Sequence, residues 1–404
     1  MTNAPQDLAD AANNPRDLTL QRRNLSGACL AHAVHDGYTD QLYALLPIWQ
    51  ADYGLSYAGL AFVRALYSVT MGALQVPADR IAARLSPRVA LAASTAVSAA
   101  GLLLAALPLG FAGLCAGLIV AGIGASVQHP RASLLVADSF GARARGPLGV
   151  YNFAGDLGKA TFPAAVALAT PVFAWRPVVG FTALIGLIVA AALLALLPDR
   201  RAEPSAREKK AAGGDGRGFG LLVAIGALDT ATRMGYLLFL PFLLGAQNGG
   251  TQNGGAPTVA LGLALVFAGG AFGKALCGWL GERFGVVGSV IVTEAATALL
   301  ILTTLIAPLW LALVVLPFLG IVLNGTSSVL YGTVPELARN DEVGRAFAWF
   351  YTGVIGSGGL APILYGAIAD GWSRTAAIVA AACTAAAIIP MVIALRPFLR
   401  SGQE

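Results

Sequence analysis

Residues 175–197 read WRPVVGFTALIGLIVAAALLALL, and no charged side chain occurs between positions 177 and 197. An α-helix needs about 20 consecutive apolar residues to cross the hydrocarbon core of a bilayer. This stretch therefore predicts a membrane-spanning helix. The residues that follow at 198–218, PDRRAEPSAREKKAAGGDGRG, are charged and rich in Pro and Gly, which indicates a linker.

The rest of the chain repeats the apolar pattern on both sides of this linker. Hydrophobic residues make up 57% of the 404 positions, charged residues make up 12%, and the mean hydropathy is +0.71. A soluble globular protein has about 25% charged residues, so the composition argues against a soluble enzyme. The net charge of +5 is small and its basic residues lie in short loops, so no nucleic-acid partner is expected.

Twelve segments are long and apolar enough to span a bilayer, six before the linker and six after it. They predict an all-α integral membrane protein with twelve transmembrane helices in two six-helix, pseudo-symmetric halves. The segments are 25–47, 57–77, 87–108, 112–137, 146–170, 175–197, 219–245, 257–280, 286–306, 308–334, 342–369 and 374–396.

Lys and Arg are distributed unequally between the two sides of the predicted membrane. The segments on the side of the termini hold 19 of the 26 basic residues, and the loops on the other side hold two. Basic residues accumulate in cytoplasmic loops, so we expect a multi-pass protein of the cell (inner) membrane with both termini cytosolic. The predicted units are a polar N-terminal tail, an N-terminal half, a cytosolic linker, a C-terminal half and a C-terminal tail, at 1–24, 25–197, 198–218, 219–396 and 397–404.

The two halves also resemble each other in sequence. The fifth predicted span contains YNFAGDLGKATFP at 151–163, and the eleventh contains FYTGVIGSGGLAP at 350–362. The loop after the second span carries Ala78-Asp79-Arg80, and the loop after the eighth carries Gly281-Glu282-Arg283. Two parallel six-helix repeats joined by a central loop are one of the architectures of secondary transporters.

These features make residues 25–396 resemble the major facilitator superfamily. The signature of that family after the second helix is similar to GxLaDRxGR[RK], and here the matching stretches are QVPADRIAAR at 75–84 and GWLGERFG at 278–285. The first copy departs from the signature because Gln75 and Ala82 occupy glycine positions. The resemblance implies a cytosolic gate in which acidic and basic loop residues lock against a neighbouring helix end, and the candidate gating residues are Asp79, Arg80, Arg84, Glu282 and Arg283.

A narrower resemblance is to the fosmidomycin-resistance-like branch of drug exporters. The first span of that branch resembles HxxND followed by Leu-Pro, and this chain has HAVHD at 32–36 and Leu46-Pro47. The fourth span resembles GxxxFHPEA, and this chain has VQHPRA at 127–132. Gln128 replaces the aromatic residue and Arg131 replaces the Glu, which reverses a charge. The branch implies proton-driven drug efflux.

Ionisable residues inside the predicted spans are unusually numerous, and each is costly in hydrocarbon. The predicted spans contain five acidic residues and five permanently charged basic residues. These equal numbers of opposite charges suggest that they form ion pairs. The acids are Asp36, Asp40, Asp156, Asp229 and Glu294; the bases are Arg64, Arg131, Lys159, Arg233 and Lys274; and His32, His35 and His129 complete the set.

The first span is the candidate site for proton coupling. His32, His35 and Asp36 occupy positions i, i+3 and i+4 of one helix face, and Asp40 continues that face by one turn. Histidine titrates near neutrality, so this cluster could exchange protons; the alternative is a set of polar contacts that hold the helix to its neighbours. Asp229 in the seventh span, near the repeat mate of this face, is a further coupling candidate. Glu294 is expected to be structural, because the ninth helix is peripheral in this family.

The remaining intramembrane groups are candidates for binding a small organic substrate. Arginine holds carboxylate or phosphate groups through two parallel hydrogen bonds and stays charged, so the permanent cations favour an anionic or zwitterionic substrate. Each cation could instead partner one of the acids, and Arg233 could pair with Asp229 one turn away. The candidate substrate-binding residues are Arg64, His129, Arg131, Asp156, Lys159, Arg233 and Lys274.

The sequence therefore predicts a proton-coupled transporter that works by alternating access, most simply an exporter. Two alternatives remain open: uptake of an organic anion by proton symport, and transport of a divalent transition metal or metal chelate. His32, His35, Asp36 and His129 would be the metal ligands in the second case. We expect no enzymatic activity, no cofactor and no bound metal, and as partners a small-molecule substrate, protons and the lipid bilayer, with the protein a monomer. GGAFGKA at 269–275 lacks the pattern of a nucleotide-phosphate loop.

Overall fold

The computed structural model of the chain describes residues 15–199, 216–247, 255–338 and 343–399. Nearly all of these residues are helical, and no strand occurs among them. The predicted linker 198–218 and the predicted tails 1–24 and 397–404 lie largely outside the described residues. The first helix begins at Pro15, so the end of the predicted N-terminal tail is helical.

The N-terminal half consists of six helices joined by short turns. They are α1 (Pro15–Tyr53), α2 (Tyr57–Ala82), α3 (Pro87–Ala106), α4 (Gly110–Phe140), α5 (Arg145–Ala169) and α6 (Trp175–Leu196), with a 3₁₀ turn at Gly141–Arg143 before α5. Ser56 caps α2 by accepting a hydrogen bond from the Gly59 N–H at 3.1 Å.

The C-terminal half repeats this arrangement with six more helices. They are α7 (Gly216–Gln247), α8 (255–284), α9 (286–306), α10 (Leu309–Leu337), α11 (Val343–Gly371) and α12 (Arg374–Leu395), followed by a 3₁₀ turn at Arg396–Phe398. The helical stretch Gly255–Ile306 divides into α8 and α9 at Gly285, where φ is 68° and ψ is 175°. A side chain is strained at this φ, so glycine permits the sharp change of direction without a loop.

Ten of the twelve helices contain segments long and apolar enough to cross a membrane. The other two, α1 and α5, hold several ionisable residues, including buried Asp36 and Asp156 and partly exposed Lys159, which lower their hydropathy. They pack inside the same bundle as the ten apolar helices. The chain is therefore a multi-pass membrane protein, and the prediction of twelve helices in an all-α fold is confirmed.

Polar contacts near the start of α1 identify one side of the membrane, called the terminal side below. Arg23 Nε donates to the Leu196 carbonyl at the end of α6 at 2.7 Å, and Asn24 Nδ2 donates to Ser139 Oγ at the end of α4 at 2.9 Å. The other side, called the opposite side, carries the start of α2 and the end of α11.

Small residues allow neighbouring helices to pack closely within each half. Ser94 and Ser98 on α3 donate hydrogen bonds to the carbonyl groups of Gly124 and Ala121 on α4 at 2.9 and 3.0 Å. Helices in a membrane associate through such close backbone approach and interhelical hydrogen bonds, because lipid supplies little hydrophobic drive.

The two halves meet at the opposite side through α2, α7 and α11. The Asp370 carboxylate at the end of α11 accepts hydrogen bonds from the Tyr57 and Ala58 N–H groups at 2.8 and 2.9 Å. The Tyr57 ring packs against Phe239 and Phe242 on α7, with ring centroids 5.5 and 5.2 Å away. A residue of the C-terminal half thus caps a helix of the N-terminal half.

Candidate functional site

Four ionisable side chains of α1 are buried at the middle of the N-terminal half. His32, His35, Asp36 and Asp40 are 6%, 1%, 5% and 5% exposed. Their helical spacing predicts that they share one face of the helix. The structure nevertheless separates their partners, because His35 faces α3 whereas His32 and Asp36 face α4 and α5.

Asp36 is the centre of a charged group that three helices contribute. Its carboxylate lies 3.2 Å from His32 Nε2, 3.5 Å from His129 Nε2 on α4, and 3.1 Å from Lys159 Nζ on α5. Lys159 also lies 3.6 Å from Asp156 Oδ1. These five residues are called the Asp36 cluster below.

Two glycines of α5 make the cluster possible. A Cβ atom at Gly155 would lie 2.6 Å from both Asp36 Oδ2 and a ring atom of His32, and a Cβ atom at Gly158 would overlap the Ala33 carbonyl of α1. The sequence AGDLGK therefore brings the α5 backbone onto α1 and projects Asp156 and Lys159 beside Asp36. Sequence reasoning did not single out these glycines, although Ala154 and Gly158 form the small-x-x-x-small pattern that signals close helix packing.

The partners of His32 define its tautomer. His32 Nδ1 lies 2.8 Å from the Tyr151 carbonyl oxygen, which can only accept a hydrogen bond, so we assign the proton to Nδ1. The ring also stacks on the Tyr151 ring with centroids 4.0 Å apart. In the neutral imidazole, Nε2 then carries a lone pair that faces the Asp36 carboxylate. Their contact is a hydrogen bond only when a further proton lies on His32 Nε2 or on Asp36.

His35 lies outside the Asp36 cluster. Its Nε2 approaches Thr95 Oγ1 at 3.2 Å and Ser94 Oγ at 3.4 Å. Those hydroxyl groups donate to the carbonyl groups of Leu91 and Gly124, so they accept from His35. Position i+3 of a helix is rotated by about 60° from position i, which is enough to turn His35 towards α3.

Two arginines, one from each half, lie near each other, because Arg64 contacts Met234, the residue after Arg233. The Arg64 guanidinium on α2 lies 4.3 Å from the Tyr43 ring centroid and 3.5 Å from Met234 Sδ on α7. Arg233 Nη1 donates to Asn324 Oδ1 on α10 at 3.3 Å.

Both guanidinium groups interact electrostatically with Asp40 and Tyr43. The Nε atoms of Arg64 and Arg233 are buried and make no hydrogen bond. These two residues are called the arginine pair below. Their Nε–H groups are buried hydrogen-bond donors that have no partner. Sequence reasoning missed Tyr43 and Met234 as neighbours of these arginines, because which helices of the two halves meet is a tertiary property.

Arg131 lies apart from the arginine pair and the Asp36 cluster. Its Nε is 2.6 Å from Asp79 Oδ1, and its Nη2 donates to the Asp79 carbonyl at 2.7 Å. The residue expected to bind substrate is therefore joined to a predicted gating residue at the terminal end of α2. Arg80, Arg84 and Arg283 are exposed. The backbones of Lys274 and Glu282 are helical, but their side chains lie outside the described part of the structure.

Asp229 is not paired in the way that its spacing suggests. In the described part of the chain it makes no direct ion pair with Arg233, which reaches Asn324 instead. Asp229 is 3% exposed, and its Oδ2 is buried without a hydrogen bond. Glu294 on α9 is 1% exposed and follows Thr293, whose Oγ1 accepts a hydrogen bond from the Thr326 hydroxyl at 2.8 Å.

The Asp36 cluster also offers a set of metal-ligand atoms. One atom each from His32, Asp36 and His129 lies within 4.8 Å of the others. The His32 ring donates its other N–H to a backbone carbonyl, as metal-binding histidines commonly do. Lys159 opposes this use, because its ammonium group lies 3.1 Å from the same Asp36 oxygen that faces His32.

Twelve membrane helices in two similar halves, with charged groups buried between them, define a membrane transporter rather than an enzyme. A model of the Major Facilitator Superfamily matches residues 28–252, more than half of the chain. The chain belongs to the Major Facilitator Superfamily. No curated protein sequence matches it.

Solved transporter structures share its fold. One is a bacterial homolog of the human lysosomal transporter Spinster in an inward-facing and occupied conformation, with a TM-score of 0.71 and 16% identity over 94% of this chain and 98% of that chain. Another is a POT family transporter in complex with 5-aminolevulinic acid, with a TM-score of 0.71 and 12% identity over 93% of this chain and 96% of that chain.

A third is a POT family transporter in complex with a thioalcohol-conjugated peptide, with a TM-score of 0.70 and 12% identity over 93% of this chain and 96% of that chain. These likenesses show that the chain shares the fold of these transporters.

Proposed function

We propose that the protein is a proton-coupled secondary transporter of a small organic anion or zwitterion, and that it works as an exporter by alternating access. It would act as a monomer in the cell (inner) membrane, with the terminal side in the cytosol. The observation that carries this proposal is the contact between His32 Nε2 and Asp36 Oδ2 at 3.2 Å, because that contact needs a proton.

The surroundings of the Asp36 cluster suit reversible proton binding. The His129 and Lys159 side chains are 33% and 29% exposed, whereas those of His32 and Asp36 are nearly buried. A proton could therefore reach Asp36 through His129 from the space between the halves. Lys159 is shared by Asp36 and Asp156, so a proton on Asp36 releases the ammonium group to Asp156 or to a substrate.

The arginine pair would bind the anionic group of the substrate. Each guanidinium group is a permanent cation with donors in a fixed fork that matches a carboxylate or phosphonate group. Arg64 belongs to the N-terminal half and Arg233 to the C-terminal half, so one anion that binds both would bridge the halves. A zwitterion would place its cationic group near Asp40. The Asp40 carboxylate interacts electrostatically with both arginines and with Lys159.

Export is the direction that the sequence favours. The resemblance of HAVHD at 32–36 and VQHPRA at 127–132 to the fosmidomycin-resistance-like branch supports proton-driven efflux. The proton would enter from outside, and the substrate would enter from the cytosol. Proton symport of an organic anion would use the same residues, and the direction of proton flow separates the two.

The second candidate function is transport of a divalent metal ion through His32, Asp36 and His129. The proximity of their ligand atoms favours it. The Lys159 ammonium group disfavours it, since a cation already lies against Asp36.

The test is proton movement in liposomes that hold the full-length protein and an internal pH-sensitive dye. Organic carboxylates and phosphonates are added on one side, and divalent metals are added in a separate series. We expect an organic anion to evoke proton movement that is lost in Asp36→Asn. Asp52→Asn is the matched control, because Asp52 lies on the same helix but accepts a hydrogen bond from Trp175 Nε1 at 2.6 Å, far from the cluster.

The outcome decides between the candidates. Proton movement into the side from which the anion leaves supports exchange, and movement together with the anion supports symport. A response to metals alone, lost in His32→Ala and His129→Ala, would overturn the proposal and make the histidines metal ligands.

A further inference from the structure

We propose that Tyr331 and Tyr351 form an aromatic subsite, which binds an aromatic ring of the transported anion on the terminal side of the arginine pair. Tyr331 lies on α10 and Tyr351 on α11, and their ring centroids are 5.1 Å apart at an interplanar angle of 39°. The Tyr331 ring also meets the Phe350 ring at 5.1 Å and 75°. The inference rests on the proposed function, because it assigns the part of the substrate that the arginine pair does not bind.

The three aromatic residues occupy the place in the C-terminal half that the Asp36 cluster occupies in the N-terminal half. Leu46-Pro47 on α1 corresponds to Leu240-Pro241 on α7, so position 32 corresponds to 226 and position 36 to 230. The stretches 151–163 on α5 and 350–362 on α11 correspond in the same way, since both end in proline. The matched residues are Gly226 for His32, Thr230 for Asp36, Phe350 for Tyr151 and Gly358 for Lys159.

The contacts in the two halves agree with this correspondence. Lys159 Nζ lies 3.1 Å from Asp36 Oδ2, and a Cβ atom at Gly358 would lie 2.8 Å from Thr230 Cγ2. The C-terminal half therefore keeps the contact between its first and fifth helices but carries neither charge there. Ligand sites are mostly apolar and aromatic, with a few polar groups that fix orientation. The uncharged copy suits the apolar part of a ligand.

Gly226 leaves room for the aromatic residues beside α7. A Cβ atom at Gly226 would lie 2.7 Å from Phe350 Cζ, so a side chain there would displace this ring. Phe350 is 1% exposed, and Tyr331, which packs against it, is partly buried. Aromatic pairs are favourable in such tilted and perpendicular arrangements. The Tyr331 ring is therefore held in a fixed orientation before a ligand binds.

Tyr351 borders the space between the halves. Ile355, one turn further along α11, packs against α2, because a Cβ atom at Gly72 would overlap it. Residues four positions apart lie on the same face of a helix, so Tyr351 lies on the face of α11 that is directed at the N-terminal half. Its exposed fraction of 42% indicates that open space, and not a packed helix, adjoins this side chain.

The spacing along α10 relates the aromatic subsite to the arginine pair. Asn324 accepts a hydrogen bond from Arg233 at 3.3 Å. Tyr331 follows Asn324 by seven positions, which places it on the same helix face about 10 Å closer to the terminal side. One ligand can therefore bind Arg233 through its anionic group and Tyr331 through an aromatic ring. This arrangement selects aryl carboxylates and aryl phosphonates over small alkyl anions.

The test is isothermal titration calorimetry of the purified full-length protein with benzylphosphonate and methylphosphonate, which share one anionic group. We expect benzylphosphonate to bind about tenfold more tightly, because only this probe gains an aromatic contact. Tyr331→Leu and Tyr351→Leu should each reduce this preference and leave the affinity for methylphosphonate unchanged. Tyr331→Phe keeps the ring and should retain the preference.

Trp349→Leu is the matched control. Trp349 lies two positions before Tyr351 on α11 and is 63% exposed, so it points to another side of the helix. Its replacement should leave both affinities unchanged. Equal affinities for the two phosphonates, or a preference that survives both Tyr331→Leu and Tyr351→Leu, would overturn the aromatic subsite.

Calorimetry involves no transport, so the aromatic subsite and the proposed function can fail separately. A preference for benzylphosphonate that depends on Tyr351, together with no proton movement in liposomes, would overturn the proposed coupling and support the subsite. Proton movement evoked by both phosphonates at equal concentrations would support the proposed function and overturn the subsite. No binding of either probe would overturn both.

Discussion

The two halves of the protein use the same helix position for different chemistry. Pro47 on α1 and Pro241 on α7 both follow a leucine, and counting back from each places His35 opposite Asp229. His35 faces the third helix of its own half, where the Ser94 hydroxyl lies within hydrogen-bond distance, whereas Asp229 is 3% exposed and its Oδ2 makes no hydrogen bond. The N-terminal member meets hydroxyl groups that serve it as acceptors, and the C-terminal member is a buried acid with an oxygen that has no hydrogen-bond partner.

We infer that proton exchange belongs to the N-terminal half. The proposed proton site there is the Asp36 cluster, whose His129 and Lys159 side chains are partly exposed. In the C-terminal half the repeat mate Asp229 is 3% exposed. The proposed site can therefore exchange protons with the space between the halves, and Asp229 is closed to it.

The largest effect is expected for Lys159→Met. The change leaves Asp36 and Asp156 without their shared cation, and breaking a buried ion pair costs about 3–5 kcal/mol of unfolding free energy. Arg233→Met should cost less, about 1–3 kcal/mol, because Arg233 makes no ion pair among the described residues and the main loss is one hydrogen bond to Asn324. Denaturant titration in micelles measures both.

A double variant checks the cause of this loss. Asp36→Asn combined with Lys159→Met removes one negative and one positive charge and should regain part of the stability. Equal losses of unfolding free energy for Lys159→Met and Arg233→Met would contradict the proposed difference between the two halves.

The next effect is expected at the glycines of α5. Gly155→Ala forces a methyl group against Asp36 and His32, and such overpacking costs about 1–3 kcal/mol. Gly149→Ala is the control on the same helix, since nothing lies within 4 Å of a Cβ atom there. Gly356→Ala on α11 should likewise leave the melting temperature unchanged, because nothing lies within 4 Å of a Cβ atom there. If Gly155→Ala and Gly149→Ala have the same melting temperature, α5 does not depend on this contact with α1.

These glycines explain what the sequence could and could not predict. The twelve helices were predictable because each must be apolar over the thickness of a bilayer. The ion pair between Lys159 and Asp36 was not predictable. Sequence spacing shows which residues of one helix lie together, but it does not show which residues of two different helices are in contact. The same limit applies to Arg131, expected near the substrate and found beside Asp79.

Helix spacing was also too coarse for Asp229 in the C-terminal half. The i, i+4 relation suggested that Asp229 pairs with Arg233, but the Arg233 guanidinium group donates to Asn324 on α10 instead. The expectation that Glu294 is structural stays a prediction, and this acid is 1% exposed.

A smaller effect is expected at the contact between the halves on the opposite side. Asp370→Ala removes the acceptor for the first N–H groups of α2, and loss of a helix cap costs about 0.5–2 kcal/mol. Because the cap comes from the other half, its loss should favour the state in which the halves separate there. Spin labels at positions 54 and 371 should report longer distances. Asp52→Asn is the control, since its bond to Trp175 lies within one half; equal distances in both variants would contradict this role.

The smallest effect is expected for His35→Gln, and it tests the comparison most directly. The Gln amide can donate to Thr95 and Ser94 as His35 Nε2 does, so both the packing and that hydrogen bond are kept. If the transported proton lies in the Asp36 cluster, anion-evoked proton movement in liposomes should remain near that of the unmodified protein. His32→Gln should lose it, because Gln cannot carry the imidazolium proton opposite Asp36. Loss of proton movement in His35→Gln would instead show that His35 takes part in proton transfer, and it would contradict the assignment of the transported proton to the Asp36 cluster.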